Sequence, residues 1–497
     1  MQTLITGNSL IPTRTEDLPT FYKKIFTTLQ LKRKTKPDGS HDKYKARCCA
    51  RGDMLKDSNV DTFSPTINNL THNCIYSIAI LDNMYTGTID TTGAYLYQDY
   101  PNDATAIYVT IDDTISDIIH QPRGQMYKVG KYIYGLPDAG KAYYEAYTQH
   151  LQENNYKRAK SDPCLFIRKT ETDITYIWTH VDDTFIASSS QTEITEFHTI
   201  MRQKFKITIE DDVTSYLGIN IQHLPDGSVK LTQPKLLHTI IKEHQHLLPK
   251  KPASNPMKAP TTSTNNTDRP IDTSTYLHLL GSLMYMIKSR PDINTAVSFA
   301  STKSKNPTET DYNALLHIVS YLSNTTTLGV IYKRGTSHIK SKLKLTCYVD
   351  ASYLIHSDSK SHTGYTMSFG DEGTFYTKSS KQKLMATSST HAEMRALYTL
   401  VQDIIYVITL CKEINREIEL PAIVFEDNAP VVQITTTLGS KMKRCKHFLM
   451  IIHYVKEQVD NNIIKILKTE AANNTADLQS KPIYGGDFTH KRKLTLG

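Results

Sequence analysis

No C-x-x-C pair occurs among the seven cysteines, Cys48, Cys49, Cys74, Cys164, Cys347, Cys411 and Cys445, which are scattered and odd in number. This argues against a zinc ribbon, a dithiol redox motif or a complete disulfide framework, and it fits free thiols in a reducing compartment. No run approaches the roughly 18 consecutive apolar residues of a membrane span, and the first dozen residues are too polar for a signal peptide. No internal repeat is evident. A soluble intracellular chain is therefore expected. Charge is nearly balanced: 58 Lys+Arg against 50 Asp+Glu leave a formal +8. That surplus is compatible with a polyanionic partner but does not demand one.

At 497 residues the chain has room for about three domains of roughly 150 residues each. Basic residues cluster early, in Lys32-Arg33-Lys34-Thr35-Lys36, the turn signal Pro37-Asp38-Gly39, and Lys43 to Arg51, and this reads as a basic hairpin. β-favouring runs over 85–97, carrying Asp90, and over 174–187, interrupted by Asp182-Asp183, suggest one mixed sheet. From Lys250 to Tyr276 the composition turns to Pro, Ser, Thr and Asn, which marks a linker and a domain boundary. Helical spacing follows in 276–287 and 311–322, where Leu315, Leu316, Val319 and Leu322 share a face, so this middle segment is expected to be all-helical.

The last third alternates as a half-buried strand at Leu343, Leu345, Cys347 and Val349. It continues through Tyr365, Met367 and Phe369, turns at Gly370-Asp371-Glu372-Gly373, and returns at Phe375-Tyr376. A helix over 390–413, a strand over 423–425, a helix over 446–459 and a strand over 463–467 complete an expected α/β unit.

Acidic residues carry the chemistry. Asp350, Glu393, Asp427 and Asp477 fall at a strand, a helix, a strand and a helix in turn, the context in which carboxylates hold two divalent cations for phosphodiester hydrolysis. Upstream, Asp90 at a strand end and Asp182-Asp183 in a tight turn could converge on one face of a sheet. Two such ions, about 3.5–4 Å apart, clamp the attacking and leaving oxygens of an in-line displacement. Each acid also has a plainer explanation. Asp-Asp is favoured in turns for its own backbone hydrogen bonds. Thr390-x-x-Glu393 reads as a capping box at a helix start. Glu426, beside Asp427, is expected to turn to solvent.

Several motifs occur in series: Y-K-A-R-x-x-A-R-G-D (44–53), D-T-F-S-P (61–65), I-D-T-T-G-A-Y-L-Y (89–97), Y-G-L-P-D-A-G (134–140), H-V-D-D (180–183), Y-L-G-I-N (216–220), L-L-G-S-L-M-Y (279–285) and R-P-D-I (290–293). Together they resemble the copia-type reverse transcriptase of LTR retrotransposons, and Y-V-D-A-S-Y, T-H-A-E-M-R-A-L, F-E-D-N and N-N-T-A-D-L extend the resemblance to the ribonuclease H region of the same Pol polyprotein. The resemblance implies an α+β multidomain chain. Residues 1–249 would form the fingers and palm of a right-hand polymerase, 250–340 a linker and helical thumb-like segment, and 341–497 an α/β RNase H-like domain.

It further implies RNA- and DNA-directed DNA synthesis with RNase H cleavage of RNA–DNA hybrids, using Mg²⁺ or Mn²⁺, two ions per site. Asp90, Asp182 and Asp183 match the polymerase metal-binding set, and Asp350, Glu393, Asp427 and Asp477 the nuclease set. Tyr95 matches an aromatic under the deoxyribose; without the family it reads equally as a core aromatic. Lys45, Arg47 and Arg51 match a basic region meeting triphosphate or template, with solvated charge the alternative for Arg51.

Implied partners are RNA template, DNA primer, RNA–DNA hybrid, dNTPs, integrase and capsid protein, and the implied location is a cytoplasmic virus-like particle or the nucleus. Four positions depart from the pattern: His180 precedes V-D-D, Asp138 stands where a nucleotide-contacting Gln is usual, and Leu449 and Ile451 replace an acid and an arginine after Lys446 and His447. His447 and His453 read as surface or packing residues. These departures keep two alternatives open, a decayed nucleic-acid-binding relic and a nuclease with an inactive polymerase half. Nothing resembling an aspartic protease, an integrase or a zinc knuckle is present.

Overall fold

The computed structural model describes residues 2–35, 41–55, 61–101, 105–258, 268–335, 342–370, 373–436 and 448–497. It divides into two compact units, one of residues 1–68 and 85–212, the other of 69–84 and 213–497. The expected turns at 37–39 and 371–372, and Cys445, Lys446 and His447, lie outside the described residues.

In the first unit the basic hairpin forms as expected, Lys23–Thr35 pairing antiparallel with His41–Ala50. It continues a five-stranded sheet through Ile107–Thr110, Met126–Val129 and Leu10–Thr13. A second sheet runs in the order Ile207–Glu210, Tyr85–Thr91, Asp183–Ser188, Ile174–His180, Leu165–Lys169, Lys157–Arg158. Every pair in it is antiparallel, so the expected mixed sheet is corrected. The helical connection through Gln191–Lys204 carries the chain from Asp183–Ser188 across to Ile207–Glu210 on the far side of Tyr85–Thr91, so the two strands it joins run in the same direction without being neighbours. Helices Ala139–Glu153 and Gln191–Lys204 close one face, burying Tyr143, Tyr147, Phe197 and Met201 against Ile89, Ile177 and Ile186.

In the second unit the helices Pro234–His244, Thr273–Met286, Asn294–Ser301 and Glu309–Ser323 share one core, in which Leu315, Leu316, Val319 and Leu322 are buried as their spacing predicts. The middle segment is not all-helical. Val330–Tyr332 is a strand that pairs with Val229–Thr232, completing a four-stranded sheet with Ser215–Tyr216 and Ile219–His223. Three residues are too few to show a period, which is why the strand escapes pattern reading.

The C-terminal sheet has the order Thr374–Lys381, His362–Phe369, Leu345–Ser352, Ala422–Glu426, Ile464–Lys468. Its first three strands are antiparallel and its last two join in parallel. The first parallel join requires a crossover, supplied by the 25-residue helix Ser389–Glu413. That helix is long and apolar enough to cross a membrane, yet Ala392, Leu397, Leu400, Val401 and Ile404 are buried in the protein. Its N-cap is Ser388, whose hydroxyl accepts from His391 N–H, so the capping-box alternative for Thr390 and Glu393 does not hold and Glu393 lies inside the helix. Helix Asn69–Leu81 belongs to this unit. Asp82, just after it, forms a buried ion pair with Arg416.

Candidate active sites

In the first unit, Asp183 lies directly across from Asp90 on the neighbouring strand. His180 and Asp183 are also partners, so Val181 and Asp182 form a two-residue hairpin turn. Such turns match the twist of their strands by placing a residue at positive φ, and Val181 has φ 61°. Thr91 N–H donates to the Asp182 carbonyl at 3.0 Å, which ties the turn to the end of the Asp90 strand. Three carboxylates thus emerge at one end of two adjacent strands. The half-buried His180 is a ladder partner at the base of the turn.

A close approach of backbones brings basic and aromatic groups to the same place. Gly135 has φ 93°, and a Cβ there would stand 2.1 Å from the Ala50 carbonyl oxygen; a Cβ on Gly52 would stand 2.2 Å from that of Gly135. Only glycine permits Ala50 N–H to donate to the Tyr134 carbonyl at 2.7 Å. Arg47 then lies over the Tyr134 ring, 4.9 Å from its centroid, and Tyr95 meets the same ring edge-on at 5.0 Å. The Tyr95 phenol is pushed up by burial and then by the charge of Asp182, while Arg47 opposes the shift. Tyr134 is also pushed up by burial, with Arg47 lowering it and Asp182 and Asp90 raising it. Arg47, Tyr95, Tyr134, Asp90 and Asp182 therefore share one electrostatic neighbourhood.

Lys45 lies two residues before Arg47 on the same strand and is half-buried. Arg51 is exposed and paired with Asp53 at 2.7 Å. Asp138 is half-buried at the start of helix Ala139–Glu153 and accepts a 3.4 Å hydrogen bond from the Tyr132 hydroxyl.

In the second unit, Asp350, Glu393 and Asp427 bring carboxylate oxygens within 4.8 Å of one another, the one such group among the described residues. Asp350 is pushed up to about 6 by burial, against the pull of Lys481 and with a further push from Asp477. Glu393 is also raised, by burial and then by Asp350, Glu426 and Asp427. Its Oε2 is buried without a hydrogen-bond partner among the described residues. Clustered carboxylates that destabilise one another's charge, one of them with an unsatisfied oxygen, fit a hard divalent cation.

Asp477 lies beside this group on the short helix Asp477–Ser480. Its carboxylate meets Lys481 at 2.5 Å and Lys491 at 2.5 Å. Ser480 donates to Asp350, and Lys481 reaches Asp350 Oδ2 at 3.4 Å.

Glu426 corrects an expectation. It is fully buried rather than solvated, accepts from Asn428 N–H at 2.8 Å, and is pushed up to about 8, mainly by burial. The parity of its strand would have revealed this, because Ala422, Val424 and Glu426 alternate on the buried side. Lys491 also escaped the sequence reading; its signal is a place three residues after the buried Phe488 on one helix face. His453 is exposed, and Leu449 and Ile451 lie half-buried on helix Leu449–Asp460.

Residues 14–259 match the family of reverse transcriptases (RNA-dependent DNA polymerases). The Retrovirus-related Pol polyprotein from transposon RE2 of Arabidopsis thaliana is 25% identical over 465 residues, covering 91% of this chain and 30% of that protein. That from transposon TNT 1-94 of Nicotiana tabacum is 25% identical over 478 residues, covering 93% and 35%. The chain thus spans about a third of the length of these relatives. Among solved structures, a foamy viral protease-reverse transcriptase in complex with double-stranded DNA superposes with a TM-score of 0.50 at 13% identity, over 94% of this chain and 68% of that one. This likeness shows the fold, a polymerase followed by an RNase H-like domain. The chain belongs with the Pol polyproteins of copia-type retrotransposons, and residues 14–259 are its reverse transcriptase domain.

Proposed function

We propose that the chain is an RNA- and DNA-directed DNA polymerase whose second unit cleaves the RNA strand of RNA–DNA hybrids. The observation that carries this reading is the pairing of Asp90 with Asp183 across two strands, with Asp182 in the turn between them and Arg47 and Tyr95 alongside. Asp90, Asp182 and Asp183 would hold divalent ions, and Asp350, Glu393 and Asp427 would do so in the second unit. When bound, such ions stabilise charge on phosphoryl oxygens and on the attacking and leaving oxygens. Carboxylate oxygens suit Mg²⁺ and Mn²⁺ alike.

The protein's own side chains supply the rest. Arg47 is positioned to meet the phosphates of an incoming dNTP, with Lys45 on the same strand to assist. Tyr95, backed by Tyr134, offers an aromatic face for the deoxyribose. The template, primer and hybrid would be bound through phosphate contacts, with salt-dependent affinity. Integrase and capsid protein as partners, and a cytoplasmic virus-like particle or the nucleus as location, follow from the same reading.

Primer-extension and hybrid-cleavage assays on one purified preparation test it. Asp182→Asn should abolish extension and leave cleavage, and Glu393→Gln should do the reverse. Loss of both activities in either folded variant would overturn the assignment of two separate centres.

A further inference from the structure

A cleft of about 290 Å³ opens within the second unit, and none of Asp350, Glu393, Asp427 and Asp477 lines it. Its floor is apolar, made by the buried Val330, Tyr332 and Phe375. Helix Asn69–Leu81 contributes Asn69, His72 and Asn73, three and four residues apart and so on one face. The side-chain carboxamides of Asn69 and Asn73 make no hydrogen bond among the described residues. Lys288, just after helix Thr273–Met286, is half-buried at the same cleft. Its ammonium lies 4.6 Å from the centroid of the Tyr285 ring and has no carboxylate partner among the described residues. Lys378 lines the cleft too, but Asp403 meets its charge at 3.6 Å.

Burying an ammonium is costly unless an opposite charge or hydrogen bonds compensate, and burial holds Lys288 below the usual lysine range. A tyrosine ring supplies only part of that compensation. An anion in the cleft would supply the rest. The other groups say what should be attached to that anion: an apolar floor accepts a flat ring, and two unpartnered carboxamides offer the donors and acceptors that match the edge of a nucleobase. The volume, near the lower end of the roughly 300–1,000 Å³ of small-ligand sites, suits one nucleotide.

We propose that this cleft binds a nucleoside monophosphate, with its base on the Val330, Tyr332 and Phe375 floor within reach of Asn69 and Asn73, and its phosphate on Lys288. No carboxylate lines the cleft among the described residues, so the phosphate needs no bridging metal ion there.

The test is calorimetric titration of the full chain with AMP in EDTA, which keeps the acidic centres free of divalent ions. One saturable site per chain is expected, with adenosine and inorganic phosphate each binding at least about tenfold more weakly. Lys288→Met, checked as folded by circular dichroism, should weaken AMP by about tenfold or more, as loss of a charge-assisted hydrogen bond does. Lys288→Arg should restore most of the affinity, and Asn73→Ala should lower it severalfold. Arg47→Ala should leave it unchanged, because Arg47 belongs to the first unit.

Absence of AMP binding, or equal binding to the Lys288→Met chain, would overturn the proposal. Loss of binding in Arg47→Ala would move the nucleotide to the first unit. A tetraadenylate that bound more tightly than AMP, and depended on Lys288, would make the cleft part of a strand-binding path and overturn its assignment to a mononucleotide.

Discussion

Gly364 lies directly across from Asp350 on the adjacent strand, and it leaves the space in which the turn carrying Asp477 rests. A Cβ there would stand 2.6 Å from both the Gln479 carbonyl carbon and the Ser480 nitrogen, and 2.9 Å from the Ala476 oxygen. All three are backbone atoms with no rotamer to yield. Gly364→Ala should therefore push helix Asp477–Ser480 off the strand, at a cost of ~1–3 kcal/mol. Urea unfolding should report that loss, and hybrid cleavage should fall sharply while primer extension survives. Unchanged cleavage would mean that the turn can shift without disturbing Asp350.

The buried acids of the second unit make stability depend on pH. Glu426 rises from an ordinary 4.5 to about 8 in the folded chain, and Asp350 from 3.8 to about 6. Between about pH 4.5 and 8 the unfolded chain has released these protons while the folded chain retains them, so rising pH favours unfolding. Metal-free protein should lose melting temperature from about pH 5 to 8. Mn²⁺ should restore more of it at the upper end, because the ion favours the ionised carboxylates. Glu426→Gln should flatten the metal-free profile and raise the melting temperature at pH 8 by at least ~2 °C. A pH-independent melting temperature in the metal-free parent would contradict the burial of these protons.

Tyr95 stands edge-on to Tyr134 beside Asp182. If its ring lies under the sugar, Tyr95→Ala should relax discrimination between dNTP and rNTP by roughly tenfold or more in single-nucleotide insertion. Unaltered discrimination would return Tyr95 to the role of core aromatic.

The Asp82–Arg416 pair is buried, with nitrogen–oxygen distances of 2.8 and 2.9 Å. Arg416→Met alone leaves a buried carboxylate uncompensated and should cost ~3–5 kcal/mol, whereas pairing it with Asp82→Leu should recover most of that loss. Equilibrium denaturation of the single and double variants measures both.

Much of this was legible in the sequence, for reasons that differ from residue to residue. The strand bearing Asp350 and the helix bearing Glu393 have clean periods, and so do the faces of helix Glu309–Ser323. The hairpin turn at Asp182-Asp183 is marked by its own composition. What failed was local evidence read in isolation. Thr390 offers a capping pattern as good as that of Ser388, and only the chain's path onto the sheet chooses between them. Glu426 was read by residue type when the parity of Val424 and Ala422 was the stronger signal. The engagement of Asp477 with Lys491, 14 residues on, depends on the last helix folding back. No periodicity within either segment records it.

Helix Asn69–Leu81 and Arg416 also bear on the order of events during synthesis. The residues that meet in their buried ion pair are 334 positions apart. At roughly 5–20 residues per second, the helix leaves the ribosome on the order of tens of seconds before the guanidinium that completes its environment exists. Cys74, Ile75, Ile78 and Ala79, all fully enclosed in the finished protein, are covered in turn as Val330–Tyr332, Thr374–Lys381 and Ser389–Glu413, which pack on this helix, are made. The apolar face of this helix is thus completed only by segments made far later in the chain, which leaves it open to chaperone binding in the interval.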